Sequence, residues 1–429
     1  MKIAIIGGGP IGIEAALYGA SAGLDVKLFE RGRLAENVRQ WGYIGLFTEW
    51  ARNRSPLAAQ LLTQRGAVLP DEASAPTGDE LAHYVQTLAS LEVLRGRVAP
   101  QCEVVSLARD RCLKSDFIGD PRRAGFPFRL VTRSMAGEKT YFFDAVIDAT
   151  GVWQTPNFAG SGGAPCAGET ANAARIDYKI PDVAGRDKMR FANKHTLIIG
   201  SGHSAASTLR SVGDLLEKFP NTRLTWAVRR DVPAHGAPYT LTPDDPSPHR
   251  DALHRRANEL AADARVRFCP RTTVERIAWN GNFSVELATW GEQGTTRETI
   301  ECDTIAAHTG FRPDWSLQSE LPVEIHPATD APRRLAEAII EQNRRSGTGL
   351  STGYAEKTIE DTTPRDKWLP VAGGNELLRT GEENFFVLGI KSYGRDAGFL
   401  MQNGFRQVRD VYKLLSQDSE LDLYNGALD

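Results

Sequence analysis

The sequence lacks the features that would tie it to a membrane, a metal or a nucleic acid. Its net charge is only −3, so no basic excess points to nucleic acid or an anionic membrane surface. No apolar run approaches the roughly 18 to 20 residues of a membrane span. Cysteine is scarce: Cys102, Cys112, Cys166, Cys269 and Cys302 are the five in 429 residues, and none forms a Cys-x-x-Cys pair. That spacing argues against a zinc site or a redox-active disulfide, and an odd count fits a reducing compartment. The eight histidines show no metal-ligand spacing, so no metal is expected. The opening run Met1-Lys2-Ile3-Ala4-Ile5-Ile6 passes at once into glycines, without the length or cleavage pattern of a signal peptide. It reads as a first strand, and the expected compartment is the cytoplasm. No internal repeat or low-complexity tract is evident.

What the sequence does have is length, apolar content and glycine in telling places. At 429 residues, 41% hydrophobic and 24% charged, it can bury the cores of two to three domains. After the strand Lys2 to Ile6 come Gly7, Gly9 and Gly12, a Gly-x-Gly-x-x-Gly with Pro10 and Ile11 inside it. A helical stretch follows from Ile13 to Ala22, and a second strand from Asp25 to Phe29 closes on Glu30 and Arg31. Gly7 permits the tight turn, Gly9 admits a diphosphate to the backbone, and Gly12 lets helix and strand pack closely. Glu30 stands 18 residues after Gly12 (30 − 12). Its carboxylate accepts from ribose hydroxyls and repels a 2′-phosphate. These residues predict a dinucleotide site for FAD.

A second unit begins with the strand Thr196 to Ile199, followed by Gly200, Ser201, Gly202, His203, Ser204 and Ala205, a Gly-x-Gly-x-x-Ala version. A helix is expected from Ala206 to about Phe219, and a strand from Leu224 to Val228 that ends in Arg229 and Arg230. Two guanidinium groups where the first unit has Glu30 would clamp a 2′-phosphate, so the second dinucleotide is expected to be NADPH. His203 is read as lining that cofactor. Two further strands, Phe143 to Ile147 and Thr304 to Ala307, run into Thr150-Gly151 and Thr309-Gly310. The expected fold is α/β, with two Rossmann-like dinucleotide-binding domains and a discontinuous FAD domain.

The order of fingerprint, Ala-Thr-Gly, second fingerprint, Thr-Gly, closing strand and helix resembles flavoproteins with two dinucleotide-binding domains, over nearly the whole chain. Within that group it looks most like flavin-containing monooxygenases and the monooxygenase-like predicted flavoproteins of bacteria. Trp41, the segment Leu46-Phe47-Thr48-Glu49-Trp50, Asn53-Arg54-Ser55-Pro56 and the stretch from Pro76 to Leu81 carry this likeness. The resemblance implies an FAD-binding domain over 1–155 and 311–429 and an NADPH-binding domain over 190–305, with the Thr-Gly segments crossing between them. It implies that Trp41 belongs with the cofactor residues and that Asn53 lies near the reactive edge of the flavin. Dioxygen would react with reduced flavin, and a C4a-hydroperoxyflavin would oxygenate a small amine or sulfur nucleophile.

The chain departs from that pattern in one respect: no aromatic-Gly-His run precedes the second fingerprint between Ala159 and Lys194. A disulfide reductase of this architecture would carry a redox cysteine pair and a late Gly-Asp, and neither is present. An NADPH-dependent flavin reductase or oxidase, and a non-catalytic redox-sensing module, stay open as alternatives. Near the end, Phe399, Leu400, Phe405, Val408, Val411, Tyr412 and Leu415 have helical spacing. A helix N-terminus after Lys391-Ser392-Tyr393-Gly394 would face the flavin and stabilise negative charge on it, with Lys391 either adding to this or lying on the surface. Residues 329–383 read as a lid, a substrate-side excursion or a contact within a homo-oligomer.

Overall fold

The run Ile3-Ala4-Ile5-Ile6 has no polar side chain and no proline, and in the computed structural model it is the buried centre of a parallel sheet. The structure describes residues 1–232, 236–241, 247–345, 371 and 373–428. The chain divides into two units, Met1–Thr155 with Arg312–Asp429, and Pro156–Phe311. Residues 156–189, unassigned from sequence, belong to the second.

In the first unit β1 (Lys2–Ile6) leads through α1 (Pro10–Ser21) to β2 (Asp25–Phe29). Helices α2 (Pro56–Gln64) and α3 (Gly78–Ala89) follow. The second of these is started by a capping box in which Thr77 and Glu80 bond each other's backbone amides. The short β3 (Val98–Ala99) joins the sheet, and β4 (Glu103–Arg109), β5 (Phe128–Ser134) and β6 (Gly137–Phe143) form an antiparallel meander before β7 (Ala145–Asp148) returns beside β1.

The second unit repeats this plan. β8 (His195–Ile199), α4 (His203–Leu216) and β9 (Arg223–Ala227) form the opening βαβ. α5 (Pro248–Ala262) and β10 (Val266–Cys269) follow, then an antiparallel meander of β11 (Thr272–Trp279), β12 (Phe283–Gly291) and β13 (Gly294–Cys302), and β14 (Thr304–Ala307) returns beside β8. The sheet order β10-β9-β8-β14 matches the β3-β2-β1-β7 of the first unit. The two Rossmann-like domains expected from the sequence thus share one topology. The repeat lies in topology, which many apolar sequences satisfy, and only the glycine loops keep it visible in the residues.

The chain then re-enters the first unit with α6 (Arg333–Arg345), β15 (Phe385–Val387), which pairs with β7, and α7 (Met401–Ser416). α7 buries Phe405, Val408, Val411, Tyr412 and Leu415. The Tyr412 hydroxyl donates to the Ala15 carbonyl of α1 at 2.7 Å. This helix begins at Met401, not directly after Gly394, which corrects the expected N-terminus there. Gly394 has φ +63°, and a Cβ there would lie 2.0 Å from the Thr329 carbonyl oxygen, so the turn before the helix needs glycine. Residues 346–370 and 372 of the expected excursion over 329–383, Trp368-Leu369-Pro370 included, lie outside the described residues. Among the described residues no helix is long and apolar enough to cross a membrane.

Candidate nucleotide-binding sites

Each βαβ unit ends its first strand in a loop that only glycine can form. Gly7 has φ +107°, and a Cβ on it would lie 2.6 Å from the Ala149 carbonyl oxygen. A Cβ on Gly12 would lie 1.9 Å from the Gly7 carbonyl oxygen. Gly9 differs: nothing lies within 4 Å of the position its Cβ would take. It caps α1 with no side-chain hydrogen bond, and Pro10 follows at the first helical position. The helix end is thus a bare, open anion cradle. Ile11 is buried behind it.

Glu30 is fixed at the end of β2. One carboxylate oxygen accepts from Gly8 N at 2.6 Å and the other from Gly32 N at 2.8 Å. The carboxylate keeps lone pairs for further donors, and Arg31 beside it is exposed. Trp41 meets Trp153 edge-on at 5.8 Å. Its indole Nε1 is buried with no partner among the described residues, as a ligand-facing donor would be. These features fit an adenine dinucleotide held by ribose and diphosphate.

At the end of β7, Asp148 is fully buried and organises the Ala-Thr-Gly turn. Its Oδ1 accepts from Thr150 N at 2.9 Å and Thr150 Oγ1 at 2.7 Å, and Gly151 turns the chain with φ +71°. Its Oδ2 accepts from Gln318 Nε2 at 2.5 Å and Lys391 Nζ at 2.7 Å. Lys391 is 2% exposed, reaches Thr150 Oγ1 at 3.1 Å and lies over the Trp315 ring at 4.8 Å. Lys391 is therefore not at the surface, and its ammonium pairs with Asp148. Asp148, Gln318 and Trp315 were missed; the only sequence signal was an acid directly before Ala-Thr-Gly.

Asn53 is held within its own turn. Its amide donates to Thr48 O at 2.7 Å, Thr48 Oγ1 at 2.8 Å and Glu49 O at 3.0 Å, and Thr48 Oγ1 donates to its Oδ1 at 3.2 Å. Both amide hydrogens are used within its own turn, and the residue is 1% exposed. It ties the segment before Pro56 together.

The second loop repeats the first with other chemistry. Gly200 has φ +118°, and its Cβ would lie 2.3 Å from the His308 carbonyl oxygen, whereas Gly202 faces open space and caps α4 without a side chain. His203 is exposed, Ser204 half-buried and Ala205 buried. Past β9, Arg229 is exposed and Arg230 half-buried, the Arg230 carbonyl accepting from Arg271 N at 2.8 Å. Thr309 and Gly310 are tied to Asn157: Thr309 Oγ1 donates to its carbonyl at 2.6 Å, and Gly310 turns with φ +86°. His308 is fully enclosed with Nε2 against Thr208 Oγ1 at 2.8 Å. Burial pulls its pKa down to about 4, so it is neutral.

The five cysteines are free thiols. Burial pushes Cys166 and Cys302 up to about 12 and raises Cys269. Thiolate chemistry is thereby suppressed throughout the second unit.

No curated protein matches the chain in sequence. Among solved structures it is similar to a bacillithiol disulfide reductase from Bacillus cereus, with TM-score 0.65, 16% identity, and 97% and 98% of the two chains covered. An ornithine N-hydroxylase from Kutzneria sp. 744 gives TM-score 0.58, 14% identity, and 97% and 99% coverage. A thioredoxin reductase from Lactococcus lactis gives 0.55, 16%, and 97% and 99%. At these identities the likeness shows the fold. Residues 1–330 match the family model for pyridine nucleotide-disulphide oxidoreductases, and the chain therefore belongs to that family, whose cofactors are FAD and NAD(P)H.

Proposed function

We propose that this chain is an NADPH-dependent FAD oxidoreductase that passes flavin electrons directly to dioxygen, and that it acts as a monooxygenase on a small amine or sulfur compound. The observation that carries this reading is the thiol inventory. The family name implies disulfide chemistry, yet the chain has no Cys-x-x-Cys, and its second-unit thiols are buried and held protonated. Cys102 donates its backbone N–H to the Glu30 carbonyl at 2.8 Å, at the ribose end of the first site. With no dithiol relay, electrons must leave from the flavin itself. FAD when bound supplies hydride acceptance and reactivity toward oxygen. The fold shared with an ornithine N-hydroxylase supports oxygen as the acceptor.

In this reading Gly7, Gly9, Gly12 and the start of α1 hold the FAD diphosphate, and Glu30 holds its ribose. Gly200, Gly202 and the start of α4 hold the NADPH diphosphate, with Arg229 and Arg230 on the 2′-phosphate. The Asp148–Lys391 pair keeps Thr150 and Gly151 in place. The test is anaerobic reduction with NADPH followed by mixing with oxygenated buffer, recorded spectrally, with product analysis across candidate amines and sulfides. Oxygenated product, or a spectral intermediate between reduced and oxidised flavin, supports the monooxygenase. Direct reoxidation with hydrogen peroxide alone makes the chain an oxidase or reductase. No NADPH turnover under any condition makes it a non-catalytic module.

A further inference from the structure

A row of rings runs outward through the second unit. Trp226 lies fully buried on β9, with Nε1 donating to the Gly200 carbonyl at 2.8 Å. Tyr239 stacks on it at 6.1 Å with 17° between planes. His254 of α5 stacks on Tyr239 at 4.6 Å and 12°, and His203, the first residue of α4, stacks on His254 at 5.3 Å and 16°. Four near-parallel rings thus lead from the sheet to the mouth of the glycine loop. The row is braced from α5, where Asn258 Oδ1 accepts from Tyr239 N at 2.9 Å and Nδ2 donates to Tyr239 O at 2.8 Å.

The Tyr239 hydroxyl is shared between the carbonyls of Ser201 at 3.1 Å and Gly202 at 3.3 Å. A peptide is planar and trans, so fixing its carbonyl fixes its N–H in the opposite direction. The two peptides held this way carry the amides of Gly202 and His203, at the open end of α4 where an anion would sit. We propose that Tyr239 and His254 are positioning residues for the nicotinamide dinucleotide. Tyr239 keeps the Gly202 and His203 amides turned toward the diphosphate. His254 holds the His203 ring upright as one wall of the mouth. This rests on the reading of the second loop as the NADPH site.

The experiment is calorimetric titration of the FAD-loaded protein with NADP⁺, alongside the KM for NADPH and the limiting rate of flavin reduction. Tyr239→Phe keeps the ring row and removes only the hydroxyl. It should weaken NADP⁺ binding by about two- to tenfold, the range of one lost hydrogen bond. KM should rise in parallel, with the limiting rate unchanged. His254→Ala should weaken binding by roughly tenfold and His254→Phe should restore it, because the stack needs a ring and no proton. Wild-type affinity in both Tyr239→Phe and His254→Ala overturns the proposal. So does a loss that only tracks a falling unfolding midpoint. Failure of the underlying reading looks different: the parent protein binds no NADP⁺, or binds it undiminished when Arg229 and Arg230 are both alanine.

Discussion

The two glycine loops share a backbone and differ in what surrounds them. α1 is enclosed on every side, buried from Ile11 through Ala20, because the sheet lies on one face and α7 on another. α4 is buried along one side only, at Ala205, Ala206, Leu209, Val212 and Leu216. The first strand pair ends in a carboxylate locked by two backbone amides, the second in an exposed Arg229 and a half-buried Arg230. The first site is thus built into a core, and its ligand would be a permanent part of the unit. The second is built on a surface, as suits a dinucleotide that must arrive and leave with each turnover. Equivalent positions make the contrast concrete: Glu14 stands five residues after Gly9, and Ser207 five after Gly202. Glu14 is fully enclosed, while Ser207 is half-buried.

The sharpest break should come from the glycines. Gly12→Ala and Gly200→Ala place a methyl group against backbone oxygen and should leave little folded protein, seen as loss of the cooperative thermal transition. Gly202→Ala meets nothing and has an ordinary φ of −83°. It should leave the transition unmoved while abolishing NADPH-driven flavin reduction. Next, Arg229→Ala with Arg230→Ala should raise the KM for NADPH by on the order of a hundredfold or more, at about 1.5–3 kcal/mol per charge-assisted contact. NADH use should be nearly unchanged. Equal kinetics with both nucleotides in the parent protein would refute the assignment.

A smaller effect probes the enclosure of α1. Burial lifts the Glu14 pKa to about 7, against hydrogen bonds from Ser55 and Tyr424 that lower it. The folded state therefore holds a proton that the unfolded chain releases near its ordinary value. Stability from this group is full below about pH 4.5, falls as pH rises toward 7 and is level above that, a loss of about 3 kcal/mol. Glu14→Gln should raise the melting temperature at pH 8 and change it little at pH 4.5. The smallest effect is at Asn53. Asn53→Ala should cost about 1–2 kcal/mol in denaturant unfolding and leave the share of electrons lost to hydrogen peroxide unchanged. Intact flavin reduction with electrons diverted to peroxide, at unchanged stability, would place Asn53 in the active site.

What the sequence made legible was what a few neighbouring residues decide. The glycines of both loops mark a tight turn from strand to helix, so spacing alone reveals them, although the oxygens that Gly7 and Gly200 approach belong to Ala149 and His308. Glu30 and the two arginines lie at strand ends that the same spacing locates. Lys391 could not be read this way, since its partner Asp148 is 243 residues distant, and nothing local says a lysine is buried. The Tyr239–His254 stack, only 15 residues apart (254 − 239), was hidden because no local pattern pairs a loop tyrosine with a helix histidine. An Asn before a proline, as at Asn53, fits a turn and a cofactor contact equally well, and sequence alone does not separate the two. The two Rossmann-like units were legible from their glycine loops, whereas the meanders share strand order but no residue pattern.

The pairing of β15 with β7 sets a timetable for the newborn chain. Phe385 lies opposite Val146, so 239 residues (385 − 146) must be translated between the two partners. At roughly 5–20 residues per second, the free edge of β7 waits about ten to fifty seconds for its neighbour, and α1 waits longer still for α7. The second unit, contiguous in sequence, can complete its own sheet in that interval. An exposed strand edge is a template for wrong pairing, so the first unit is where a chaperone would be needed during synthesis.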